Sequence, residues 1–316
     1  MEGLGPSTVV PAFKPRVSPE DFESPSLRLL NSSLPKPTSS SLNVTHLQDD
    51  DIFYIDGILT EMECRYLIES IDQCPHLSFW SQKGRQHEET RAYRNVDTVE
   101  VEYHRLANAI TERLKLCLKL TLLQLDDSEG RDLVGCWRYS SLNHDCLFSR
   151  YPSFGSFAPH TDGKAVEHFD RRSFYSVIIY LNTIPVGYGG GTRFYTSASV
   201  VNQLEPMTYQ GHSLWTGRPS MALHEVLPVA GRMLIFKQHL VHEGVPPAES
   251  YQKYIIRSDL MYDRDPPLLK TPTDQEAYRL YQQAEQLSEL GDTGESIMLF
   301  RKAIKMSPTL AEILGQ

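Results

Sequence analysis

Long apolar runs are missing from this chain, and basic clusters and paired cysteines are scarce. No stretch approaches the roughly 18–20 uninterrupted apolar residues that a helical membrane span requires. The greasiest one, Leu114 to Leu125, is broken by Lys115 and Lys119. Lys and Arg number 31 against 40 Asp and Glu, a net charge of −9. Neutralising phosphates takes clustered cations, so neither nucleic acid nor an anionic membrane is an expected partner. The five cysteines (Cys64, Cys74, Cys117, Cys136, Cys146) form no close pair and leave one over. That fits reduced thiols in a cytoplasmic or nuclear protein rather than a disulfide framework. Met1-Glu2-Gly3 is not followed by a basic and then an apolar region, so no secretory signal is expected. Asn31-Ser32-Ser33 and Asn43-Val44-Thr45 then read as chance triplets.

What is present falls into three stretches. Residues 1–48 are rich in Pro and Ser with no apolar period. Such a segment buries too little surface to offset chain entropy, so it reads as disordered. From 49 to 265 the pattern is that of one folded domain. Thr60 and Glu63 form a capping box that opens a helix with Cys64, Leu67, Ile68 and Ile71 on one face. A second helix is expected from Tyr103 to Leu120. After Cys136 short β-rich runs recur: Cys146–Tyr151, Phe174–Leu181, Thr192–Tyr195, Met233–Phe236 and Tyr254–Tyr262, separated by Gly and Pro turns. The expected class is α+β: flanking helices and a double-sheet, jelly-roll barrel with its core at 143–262. Residues 272–316 read as a helical hairpin, with Thr273 and Glu276 capping its first helix and Asp292 and Glu295 its second. Gly291, Phe300, Ala303 and Pro308 sit at spacings resembling one tetratricopeptide repeat, and a plain helix pair is an equal reading. The span 274–308 is a candidate partner site.

Three clusters among the eleven histidines and the basic residues bear on chemistry. In His160-Thr161-Asp162 the first and third side chains share a strand face and can converge on one ion. His242-Glu243-Gly244 follows the strand Met233–Phe236. Lys253 and Arg257 share a face of the next strand. Two histidines and a carboxylate on one face of a metal leave three positions open, the facial triad of non-haem Fe(II) oxygenases. Two of those take a bidentate keto acid and the third O2, and a basic residue deeper in the barrel anchors the far carboxylate. His46, His76, His87, His104, His144 and His212 have no ligand-like neighbours in sequence and read as structural or exposed.

In this order of motifs the chain resembles the Fe(II)- and 2-oxoglutarate-dependent dioxygenases of the prolyl 4-hydroxylase-like branch, over roughly residues 51–262. The residues that carry it are His160-Thr161-Asp162-Gly163, Tyr180-Leu181-Asn182 closing an apolar strand, Gly190-Gly191-Thr192, the run Pro228 to Phe236, and His242-Glu243 followed by Lys253-Tyr254. The resemblance implies a double-stranded β-helix. It implies His160, Asp162 and His242 as Fe(II) ligands, and Lys253 on the C5 carboxylate of 2-oxoglutarate with Tyr180 donating to it. Arg257 is a second candidate anchor, and Tyr151 a candidate pocket residue. It implies decarboxylation of 2-oxoglutarate to succinate coupled to hydroxylation of a protein side chain, perhaps prolyl, or of a small molecule, with ascorbate keeping the iron reduced.

Competing readings stand beside these. His168-Phe169-Asp170 repeats the His-x-Asp spacing in a charged loop, where a solvated ion-pair cluster is expected, and Arg171 and Arg172 read as a solvated face. His224-Glu225 mimics His242-Glu243, but only His242 has a basic residue eleven positions on; His224 and His239 are expected to be a strand and a loop residue. The insertion from Ser197 to Pro219 is long for a hairpin loop and is a candidate lid. Arg91, Arg94 and Asn95 are candidates for the mouth. The rival function is an interaction protein, with the barrel as scaffold and the hairpin as binding site.

Overall fold

The computed structural model describes residues 15–31, 42–48, 51–79, 88–118, 122–126, 131–196, 198–209 and 211–315. They form two compact units: 1–117 with 143–162 and 176–258, and 118–142 with 163–175 and 259–316.

In the first unit two sheets face each other. One has the order Ala222–Val226, Thr192–Tyr195, His242–Gly244, Phe157–His160, all antiparallel. The other contains Arg16–Val17, Asp97–Glu102, Asp145–Tyr151, the first part of Lys253–Arg264, the last part of Arg171–Tyr180, then Met233–Lys237, Ile52–Asp56 and Asn43–Gln48. Tyr151, Ile178, Tyr180, Leu234, Phe236 and Ile255 from this sheet meet Phe194 and Val226 from the smaller one in a single core. Strand alternation explains the arrangement: residues at i and i+2 share a face, and burying that face against a second sheet gives a sandwich. This is the expected double-sheet barrel, with its strands within a few residues of the expected bounds. Gly231 fastens a corner. Its φ is +79°, its N–H donates to Tyr180 O, and a Cβ there would lie 2.1 Å from Leu59 O.

The helix Glu61–Gln73 begins at the capping box read from the sequence: the Glu63 N–H donates to Thr60 Oγ1 at 3.2 Å, and the Thr60 N–H to Glu63 Oε2 at 2.7 Å. Glu63 also pairs in the interior with Arg113 of the helix His104–Cys117 at 2.5 Å. The helix expected to run to Leu120 thus ends at Cys117, and residues 119–121 lie outside the described ones.

The segment expected to be disordered departs from that reading where it is described. Arg16–Val17 pairs in parallel with Glu100 and Val101, and short helices span Pro19–Phe22 and Pro25–Asn31. Asn43–Gln48 is a strand. Ser18 caps the first helix with Pro19 behind it, a start signal that needs no apolar period. Phe22 is 2 % exposed, its ring 4.2 Å from that of Phe148. Burying one such side chain contributes about 2–3 kcal/mol, enough to hold a short segment whose average composition is polar. Residues 1–14 and 32–41 lie outside the described ones.

In the second unit Leu122–Leu125 pairs with Gly135–Leu142, which pairs with the end of Lys253–Arg264. Helices Pro272–Glu289, Thr293–Met306 and Pro308–Ile313 follow. Their core comprises Phe169, Leu269, Ala277, Tyr278, Leu280, Ala303 and Leu310. The first helix is capped by Thr271 with Asp274, two residues earlier than expected, because Pro272 is accepted at the first helical position. Asp170 is buried, pairs with Arg264 at 2.9 Å and accepts from the N–H groups of Leu268 and Leu269. In the second His-x-Asp, Asp170 therefore belongs to a buried structural network rather than a solvated cluster, while His168 is exposed beside the Glu167–Arg171 ion pair. Arg172 is likewise buried and paired with Asp132, and Arg171 bonds Asp263, Ser140 and Ser141.

Candidate active site

His160 and His242 are a cross-strand pair, opposite each other on adjacent antiparallel strands of the smaller sheet. Side chains at such positions leave the same face about 5 Å apart. Two histidines separated by 82 positions thereby meet, with ring centroids 4.4 Å apart. Asp162, two residues past His160, brings its carboxylate to both: Oδ1 lies 3.8 Å from His160 Nε2 and Oδ2 lies 3.7 Å from His242 Nε2. The three donor atoms lie within 4.8 Å of one another. Each imidazole is held by its far nitrogen. His160 Nδ1 is 2.8 Å from Ala158 O and His242 Nδ1 is 3.1 Å from Leu240 O. A carbonyl only accepts, so both Nδ1 atoms carry the proton and both Nε2 lone pairs point into the cluster.

The surroundings favour a neutral imidazole pair beside a charged carboxylate. Burial, then the neighbouring His242, pulls the His160 pKa down to about 3, and burial lowers that of His242. Asp162 is pushed down against its own desolvation by Arg257, His242 and His160, and by the Ser176 hydroxyl that donates to Oδ2 at 2.5 Å. Neutral imidazoles and an ionised carboxylate are the forms that bind a metal. The side chains of His160 and Asp162 keep 15 % and 14 % exposure, so one side of the cluster stays open. This donor set, in this protonation, fits a divalent first-row ion with open positions.

Lys253 lies in the same unit on the larger sheet, 1 % exposed. Its Nζ donates to Gly191 O at 3.3 Å and sits 4.7 Å from the Tyr151 ring centroid and 5.7 Å from that of Tyr180. Among the described residues no carboxylate lies within ion-pair distance of it. A buried ammonium costs several kcal/mol to desolvate. One carbonyl bond (about 1–2 kcal/mol) and cation–π contact (about 2 kcal/mol) do not cover that. Burial accordingly pulls its pKa down to about 7. The turn at Gly189 and Gly190, with φ +70° and +78°, delivers the Gly191 carbonyl to Lys253. Tyr180 donates its hydroxyl to Thr192 Oγ1 at 2.7 Å. Arg257 stands elsewhere: its Nη2 is 3.5 Å from Asp162 Oδ2 and 3.4 Å from Ser176 Oγ.

The structure thus gathers His160, Asp162, His242 and Arg257 at one cluster and Lys253, Tyr180 and Tyr151 at another. His224 faces Phe194 in its strand, and His239 lies in the turn after Met233–Lys237. Arg94 stacks over Phe157 at 4.8 Å, and Phe157 stacks on His160 at 3.6 Å, while Arg91 bonds Asn95. Residues 80–87, also candidates for the mouth, lie outside the described ones.

Sequence reasoning missed Ser176, Thr192 and Glu243. Glu243 is buried, bonds Arg193 at 2.8 Å, and accepts from Thr216 Oγ1 and the Gly217 N–H at 2.9 and 3.2 Å. It ties the base of the hairpin Glu205–Tyr209/His212–Thr216, part of the candidate lid, to the residue after His242. Sequence reasoning also missed a pairing. His104 and His144, read as isolated, converge with Glu102, because a strand end and a distant turn meet. Glu102-x-His104 was the available signal.

Comparison with known proteins follows the same residues. Residues 146–258 match the sequence model of the 2OG-Fe(II) oxygenase superfamily. This is the family that the sequence motifs resemble, and the match contains all seven residues gathered above. Solved structures similar in fold include the viral collagen prolyl hydroxylase vCPH from Paramecium Bursaria Chlorella virus-1, at 16 % identity and TM-score 0.40, covering 69 % of this chain and 99 % of that one. A Pseudomonas putida prolyl-4-hydroxylase is similar at 18 % identity and TM-score 0.41, over 76 % and 100 %. A prolyl hydroxylase from Trichoplax adhaerens, in complex with a hypoxia inducible factor oxygen degradation domain peptide, is similar at 14 % identity and TM-score 0.43, over 78 % and 96 %. Among curated proteins no sequence matches this chain.

Proposed function

We propose that this chain is an Fe(II)- and 2-oxoglutarate-dependent oxygenase that hydroxylates a peptide side chain, with prolyl as the first candidate. The observation that carries this reading is a His-Asp-His cluster in the same unit as a buried lysine that, among the described residues, has no carboxylate within ion-pair distance. His160, Asp162 and His242 would hold Fe(II), and Lys253 would bind the C5 carboxylate of 2-oxoglutarate. The bound pair supplies the oxidative chemistry that splits 2-oxoglutarate into succinate and CO2 and delivers one oxygen atom of O2 to the substrate carbon.

The protein's own contributions follow from its geometry. The carbonyls of Ala158 and Leu240 hold the two imidazoles with Nε2 inward. Ser176 and Arg257 hold Asp162 through Oδ2 and keep it ionised. Lys253 stays protonated once a carboxylate lies beside it, and Tyr151 and Tyr180 wall its pocket against water. Of the two candidate anchors, Lys253 suits the carboxylate and Arg257 suits Asp162. Ascorbate is the expected reductant in turnover.

The test is succinate formation by purified protein with Fe(II), ascorbate, O2 and 2-oxoglutarate, alongside His160→Ala. Succinate from the wild type and none from the variant supports the reading. No turnover together with no binding of metal or 2-oxoglutarate sinks it. A small-molecule substrate would appear as turnover stimulated by a metabolite pool and not by prolyl peptides.

For the hairpin within 272–316 we propose a partner site resembling a single tetratricopeptide repeat. Leu290, Ile297 and Met298 are 82 %, 44 % and 66 % exposed there, more apolar surface than a solvated helix pair needs. Replacing the three by Ser should leave succinate formation intact and abolish co-purification of any partner. Loss of both would favour a purely structural hairpin.

A further inference from the structure

Outside the candidate active site, a second cluster has the same donor types. Glu102 ends the strand Asp97–Glu102, His104 begins the helix His104–Cys117, and His144 lies in the turn before the strand Asp145–Tyr151. The backbone fixes their approach: Glu102 pairs with Asp145 across the sheet, and the Tyr103 N–H donates to His144 O at 2.7 Å. The two imidazoles stack with centroids 4.1 Å apart at 22°. Both Nε2 atoms address the same carboxylate oxygen, Glu102 Oε1, at 3.1 Å from His104 and 3.9 Å from His144. The other oxygen, Oε2, accepts from Arg16 Nη2 at 3.0 Å, and that nitrogen also donates to Asp145 Oδ1 at 2.8 Å. Arg16 therefore holds the carboxylate by one oxygen and leaves the other aimed at the imidazoles.

A tetrahedral ion with bonds of 2.0–2.1 Å keeps its ligand atoms roughly 3.3 Å apart. The observed separations bracket that value, and the three donor atoms lie within 4.8 Å of one another. Small rotations of the exposed His104 ring and the half-buried His144 ring would close the difference without moving the backbone. Glu102 and His104 are exposed and His144 is half-buried, so water can fill a fourth position. Two imidazoles and a carboxylate suit borderline ions of the zinc, nickel and copper class better than hard oxygen-seeking ones.

We propose that Glu102, His104 and His144 form a second metal site, for one borderline divalent ion such as Zn2+, separate from the cluster at His160, Asp162 and His242. The ion would clip a strand end, a helix start and a turn together. This proposal stands independently of the oxygenase reading.

The test uses the full chain in a His160→Ala, His242→Ala background, which removes the buried cluster. Equilibrium dialysis against Zn2+ alone should give one ion per chain. Adding His104→Ala or His144→Ala should remove it, with affinity falling at least tenfold. Zn2+ should raise the melting temperature of the background protein and not that of the further variants, whose own melting curves report whether they fold. In the otherwise wild-type chain, His104→Ala should leave succinate formation unchanged. The proposal is overturned if the background protein binds no Zn2+, or if binding survives both His104→Ala and His144→Ala.

Discussion

Two histidine–carboxylate clusters in the first unit use the same side chains and differ in what surrounds them. At His160, Asp162 and His242 every ligand is oriented from behind: each Nδ1 by a carbonyl two residues earlier, and the carboxylate by Ser176 and Arg257. At Glu102, His104 and His144 the carboxylate is held by Arg16 on the surface. At the inner cluster orientation and burial together set the protonation state before any ion arrives, as the proposed oxygenase site requires, whereas the proposed outer site relies on exposed ligands.

The comparison breaks most sharply at the ligands. Asp162→Asn should lower succinate formation by at least about 100-fold, because a neutral amide replaces the ionised ligand. Glu102→Gln should leave it unchanged. Equal losses, read by succinate assay, would erase the distinction between the clusters.

Lys253 gives the next largest effect. A charge-assisted bond of about 2–3 kcal/mol predicts that Lys253→Met weakens 2-oxoglutarate binding roughly 30–150-fold by calorimetry, with Lys253→Arg partly restoring it and metal affinity unmoved. The pH dependence has a definite sign. The folded pKa of about 7 lies below the ordinary 10.5, so between these values the unfolded chain binds more protons and the stability of the ligand-free protein rises with pH. Lys253→Met should flatten that rise in urea melts at pH 7 to 10. An anion that restores the charge must bring a proton with it. Binding of 2-oxoglutarate near pH 8–9 should therefore take up close to one proton, measured in two buffers of different ionisation enthalpy, and the Arg variant should take up none.

Glu243→Gln is a smaller perturbation, costing about 1–3 kcal/mol by weakening the bonds to Arg193, Thr216 and the Gly217 N–H. Amide exchange should rise in the hairpin Glu205–Thr216 before it rises in the strand Phe157–His160. Smallest of all, Tyr180→Phe removes one hydroxyl already bonded to Thr192, and 2-oxoglutarate affinity should fall only a few-fold.

The inner cluster was legible because its signals are local: His-x-Asp on a strand, a distal His after a strand, and a lysine eleven residues later. Its supports were not. Ser176 reaches Asp162 from a different strand, and Arg193 and Thr216 reach Glu243 from two others, so no sequence interval carries them. The outer cluster hid for a related reason: Glu102 and His104 straddle a strand–helix junction, where neither period applies, and His144 comes from 40 residues away. The barrel strands were read within a few residues because their alternation is strong. The segment Arg16–Asn31 was misjudged because one buried phenylalanine and one N-cap outweigh a polar composition.

The central claim is that the inner cluster and Lys253 form one site for a metal and a keto acid. Titrating 2-oxoglutarate into the full chain, with and without Mn2+, tests it most directly. The account predicts that Mn2+ tightens binding at least tenfold, that His242→Ala removes the tightening, and that His104→Ala does not. Binding of equal strength with and without metal, or coupling that survives His242→Ala, would contradict it.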